Sequence, residues 1–204
     1  MLDADGDVET IMGRLLFHVS RMYTEVEFKN LATTIPNDFE QKTSEFWSYV
    51  NERLQKLSGK INRIYRDGIC KTGREALSQL RSLDSENYVA VKDLIENGAR
   101  FVATEDPILL GESESWAAML RGQEWDVVVG ELFQENLHER IKHISNIVEK
   151  TLKDDEIGVL FLEPSLRAEF SKDIKVIRMW RFDPLDYLKS WQVKLRLRSA
   201  AKKD

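Results

Sequence analysis

Four carboxylates, Glu25, Asp67, Glu105 and Asp106, each stand just after a short apolar run, inside a small polar cluster. Side chains of this type, gathered in one place, can hold a hard cation or divide general acid and general base work between them. The clusters are Tyr23-Thr24-Glu25 after Leu15–Val19, Tyr65-Arg66-Asp67-Gly68 after Ile61–Ile64, and Thr104-Glu105-Asp106-Pro107 after Phe101–Ala103. If the apolar runs are parallel strands, all three clusters emerge at the carboxyl edge of one sheet, where open α/β folds place their ligand crevices. Burial and like-charge repulsion would then pull the carboxyl pKa values apart. In that arrangement Glu25 is the candidate general base and Glu105 or Asp106 the acid or metal ligand. Arg66 would stabilise developing negative charge, and Thr24, Asp67 and Thr104 would contact a ligand. Each residue also has a structural use. Asp106 before Pro107 is a helix cap, Asp67 before Gly68 a turn residue, Glu105 a first-turn acid, and Thr24 and Thr104 can cap following chain.

Other chemistry is less developed. His18 lies inside the first apolar run, where a buried, hydrogen-bonded histidine is the simpler expectation. His138 and His143 are five residues apart on one helical segment and point in different directions, so they form no metal pair. Cys70 would need Arg66 or Lys71 to lower its pKa before it could act as a nucleophile. No Walker loop, dinucleotide glycine fingerprint, nucleophile elbow, zinc-protease motif or EF-hand loop is present.

The elements that must position these residues alternate. Strands are expected over Arg14–Met22, Lys60–Tyr65, Arg100–Ala103, Ile157–Leu162 and Asp173–Met179. Between them the apolar periodicity predicts helices over Asp38–Leu57 with Asn37 as cap, from Thr72 onward, and over Ser85–Glu96. Further helices are expected over Pro107–Leu120 and Val127–Leu152, from Ser165 to Phe170, and from Pro184 to Arg198. The sum is a three-layer α/β fold: a mostly parallel sheet of about five strands with helices on both faces. Residues 1–12 are expected to be a flexible acidic lead-in, 13–198 one α/β domain, and 199–204 a basic tail.

Composition narrows the class. The 204 residues carry 30 Lys and Arg against 35 Asp and Glu, so nucleic-acid binding is not expected. A single cysteine excludes an intramolecular disulfide framework and fits a reducing compartment. With no secretory signal and no apolar run able to span a bilayer, a cytoplasmic protein is expected. The terminal helix gathers Lys189, Lys194, Arg196 and Arg198 beside Trp191, Val193, Leu195 and Leu197, a surface that could contact an acidic protein partner, a second copy or a membrane surface, or pack against its own chain.

The three clusters, together with Asp155-Glu156-Ile157-Gly158-Val159-Leu160-Phe161, resemble a family of uncharacterised prokaryotic proteins of similar length. The resemblance covers most of residues 13–180. That family in turn resembles the TraB, ChaN and erythromycin-esterase group, whose pocket is lined by histidines and glutamates. By position the resemblance carries over to Glu25, Arg66, Asp67, Glu105 and Asp106, and to Arg140, which could reach the rim or pair with an acid there. Two departures matter. Tyr23 stands where the family has a histidine, and Glu163-Pro164-Ser165-Leu166-Arg167 replaces the turn that would carry another. Without those imidazoles the expected function is binding of a small polar ligand or divalent metal, in sensing or scaffolding with weak or no catalysis. A carboxylate-based small-molecule hydrolase is the alternative, and partner or nucleic-acid binding through the terminal helix ranks third.

Overall fold

A computed structural model describes residues 13–122 and 126–200; the acidic lead-in, Trp125 and residues 201–204 lie outside the described residues. The elements in chain order are β1 (Arg14–Ser20), α1 (Glu25–Ala32), α2 (Phe39–Lys56), β2 (Arg63–Arg66), α3 (Gly73–Leu83), α4 (Ser85–Glu96) and β3 (Arg100–Phe101). They continue as α5 (Pro107–Gly122), α6 (Val127–Thr151), β4 (Ile157–Leu162), β5 (Ile174–Arg178) and α7 (Pro184–Ala200). The five strands form one all-parallel sheet in the order β3-β2-β4-β1-β5.

Strand alternation sends Leu15, Phe17, Val19, Val159 and Phe161 to one face, where apolar residues of α1, α2, α3, α4 and α7 cover them. Leu16, Leu160 and Leu162 point to the other face, against Ile144 and Val148 of α6, on which α5 packs. Covered on both sides and flanked by β2 and β1, β4 is buried at all six positions, which is why it reads as an unbroken apolar run. Gly158 is required there. A Cβ would come within 3.1 Å of the Leu16 and Tyr65 side chains and 3.2 Å of Leu152.

Connections from β1 to β2 and from β2 to β3 run over the first face; those from β3 to β4 and from β4 to β5 return over the second. One handedness of crossover requires this division. The chain therefore leaves the adjacent strands β2 and β4 in opposite directions, and their carboxyl ends form the switch point at which such sheets open a crevice.

Several local expectations change. Residues 166–170 form no helix: the segment is short and uncapped, and Leu166 and Phe170 pack onto the sheet as an irregular connection instead. The helix α1 is an addition, begun by a capping box in which Thr24 and Glu27 exchange hydrogen bonds across the first turn. At α2 the N-cap position is Asp38, not Asn37, and its carboxylate accepts from the Tyr187 hydroxyl at 2.9 Å. Asp84 caps α4 by accepting from the Asn87 N–H at 3.0 Å. The third strand contracts to two residues. Trp191 donates to the Thr34 carbonyl at 2.9 Å and Gln192 to the Leu31 carbonyl at 3.0 Å, so α7 docks on its own chain.

Candidate functional site

At the carboxyl ends of β1, β2 and β4 lies a cleft of about 980 Å³. Its floor is an ion-pair lattice that starts one residue past β1. The Arg21 N–H still pairs with the Leu162 carbonyl at 2.9 Å, which holds the arginine against the sheet edge with 2% of its surface exposed. Its guanidinium forks to Asp67 at 3.1 Å through Nε and Nη2, and to Glu27 at 2.9 and 2.8 Å through Nη1 and Nη2. Burial opposes charge on all three groups. The mutual attraction wins: Arg21 is raised well above its ordinary pKa, while Arg21 beside Glu27 and Asp67 holds both carboxyls below theirs.

Next to this triad Arg66 ends β2 and turns toward α4. It donates to Asn87 Oδ1 at 3.3 Å, to Asp84 Oδ2 at 3.4 Å and to the Asp67 carbonyl. Because Asp84 is also the α4 cap, the arginine ties the sheet edge to a helix N-terminus. The Thr104 hydroxyl donates to the Arg66 carbonyl. Gly68, at φ +74, turns the chain so that its N–H donates to Glu105 at 3.0 Å. Glu105 is in turn held by Arg140, whose Nε lies 3.2 Å away and whose Nη1 reaches the Ser113 hydroxyl at 2.9 Å.

The four candidate carboxylates thus take separate partners. Glu25 stands in the first turn of α1, exposed and paired with Lys29. Asp67 belongs to Arg21 and Glu105 to Arg140. Asp106 caps α5 by accepting from the N–H groups of Ile108 at 2.8 Å and Leu109 at 3.1 Å. Glu25, Thr24, Arg66, Asp67 and Arg140 line the cleft; Glu105, Asp106 and Thr104 do not. Among the described residues no three His, Cys, Asp or Glu side chains are grouped as a metal site.

Residues outside the sequence-derived set complete the cleft. Arg21 and Glu27 supply its floor, and Glu163, at the exit of β4, supplies a half-buried carboxyl with no cation at ion-pair distance among the described residues. Among the described residues the Ser165 hydroxyl alone donates to it, at 2.5 Å, and burial pushes its pKa up. Tyr23 is 2% exposed yet lines the same space. Burial and the nearby Glu163 charge keep its phenol protonated, and it makes no hydrogen bond among the described residues. From α2, Thr43 Oγ1 and Asn51 Oδ1 are buried without partners, one turn to either side of Trp47. Two sequence signals foreshadow these residues. Thr24-x-x-Glu27 is a capping-box pattern, and Glu163 is an acid placed directly after the most apolar strand.

The remaining candidates are quiet. Burial, then Arg178 and Arg167, lower His18 to about 4, so it is neutral at neutral pH, packed edge-on against Trp180. Burial and the Glu105 charge raise Cys70, the reverse of nucleophile activation. Comparison with family models, curated proteins and solved structures finds no match to this chain.

Proposed function

We propose that the protein binds a small polar molecule in the strand-end cleft, in a sensing or scaffolding role in which binding, not turnover, is the output. One observation carries this: the buried arginines of the floor are paired with acids of the chain, whereas Glu163 has no cation at ion-pair distance and Tyr23 no hydrogen bond among the described residues, and both line the same space. Buried polar groups of a folded protein are normally satisfied, so a cluster that is not satisfied at a crevice is suited to a ligand. The matched lattice holds the walls in place and so lowers the ordering cost of binding.

Ligand-observed NMR with a panel of polar metabolites tests this on the native chain and on Ser48→Trp, in which an indole from the exposed face of α2 fills the cleft. Binding by the native protein and loss in the variant is the expected result. Equal binding by both removes the cleft as the site.

A second reading has one specific support. Glu163 is displaced toward its protonated form while Glu27 and Asp67, in the same cleft, are displaced toward their ionised forms, the separation an acid catalyst uses. In a hydrolase of this kind Glu163, and not Glu105 or Asp106, would give up the proton. A hydrolase screen comparing native protein with Glu163→Gln tests it; activity retained in the variant removes that role.

A further inference from the structure

We propose that the ligand of this cleft is an organic cation, a protonated amine or a guanidinium, with Glu163 as its counter-ion. This deepens the binding function above and rests on it.

The charge of the lining comes first. Among the described residues eight acids and four arginines line the cleft, with no lysine. Arg21 is committed to Glu27 and Asp67, Arg66 to Asp84, and Arg140 to Glu105. The fourth, Arg81, lies over the Tyr88 ring at 5.8 Å. Among the buried arginines an anionic ligand would have to break a pair and leave a carboxylate stranded; the exposed Arg81 is the one lining cation without an acid among the described residues. A cationic ligand breaks nothing.

The unmatched atoms point the same way, independently of charge. Glu163 offers carboxylate oxygens and Tyr23 a hydroxyl that makes no hydrogen bond among the described residues, and both can accept from a ligand. An ammonium offers three donors and a guanidinium five, and neither has an acceptor that would need a partner. Tyr23 and Trp47, 2% and 3% exposed, form an aromatic part of the wall. An inorganic cation fits less well, since the described residues gather no three carboxylate or imidazole ligands.

Isothermal titration of the full chain with agmatine, putrescine, sorbitol and citrate separates the possibilities. Agmatine or putrescine is expected to bind the native protein, with affinity falling about tenfold in Glu163→Gln. The change should be less than about twofold in Glu52→Gln, an exposed acid outside the cleft. A second arm needs no variant. Amine affinity should rise as pH climbs from 4.5 to neutrality, because Glu163, raised above 4.5 by burial, loses its proton over that range while the amine keeps its own.

Amine binding that is unchanged in Glu163→Gln and flat with pH overturns the counter-ion. Sorbitol or citrate binding that Ser48→Trp abolishes, with no amine binding, leaves the cleft as a ligand site and overturns the cation. Absence of binding by all four probes, or binding that Ser48→Trp leaves intact, overturns the cation and the cleft together.

Discussion

The two edges of the sheet use the same residue types to different ends. Arginines flank β1 and β2 at both margins. At the amino edge Arg63 forks to Glu156 at 2.9 and 2.8 Å and Arg14 reaches Asp173, with solvent beside both pairs. At the carboxyl edge Arg21 and Arg66 are fully enclosed, and Asp67, Asp84 and Asn87 are enclosed with them. Hydrogen-bond lengths at the two edges are similar. What differs is the cost of losing a partner: an exposed ion returns to water, while an enclosed one is left without either water or counter-charge. The amino edge is stapled; the carboxyl edge is locked into one geometry.

The largest effect that bears on this contrast is expected for Arg21→Met, which strands Glu27 and Asp67 together and should cost about 3–5 kcal/mol in urea unfolding. A loss as small as that of an amino-edge variant would erase the distinction. Arg140→Met should cost nearly as much, about 3 kcal/mol, because it leaves Glu105 with the Gly68 N–H as its remaining donor. Adding Glu105→Leu should restore part of that loss; if the double variant is less stable than the single, the penalty does not come from an unpaired charge.

pH sharpens the comparison within the carboxyl edge. Glu27 and Asp67 sit below their ordinary values of 4.5 and 3.8, so they stabilise the fold above those values and lose that contribution as pH falls through their folded pKa values. Glu163 has the opposite sign. Its folded pKa lies above 4.5, so the native state keeps the proton longer and stability declines as pH rises from 4.5 through the folded value. Glu163→Gln should therefore raise the melting temperature at neutral pH and leave acid unfolding in place; a lower melting temperature there would mean that the ionised carboxylate has a partner after all. The smallest effect is expected at the amino edge, where Arg63→Met should cost about 1 kcal/mol or less and should weaken further in high salt.

Much of the architecture was legible because the forces behind it are local. The unbroken apolar run Ile157–Leu162 announces a strand covered on both faces, the long periodic face of Val127–Thr151 announces an amphipathic helix, and the alternation of the two forces parallel strands. The same logic puts the polar clusters after β1, β2 and β3 on one rim. The fate of the stretch after Ser165 was not legible, since a short segment with little pattern takes its shape from the surface beneath it.

Amino-acid order by itself thus determined the strands, the covered faces and the margin where polar side chains would collect, because hydrophobic period and turn chemistry act over a few residues. Only the tertiary structure decided who pairs with whom. Nothing near Arg21 in the chain marks Asp67 as its partner, 46 positions away, or shows that β4 would enter between β1 and β2 and deliver Glu163 to the cleft without a cation. Desolvation makes such pairings strong, and desolvation depends on what surrounds a group in space.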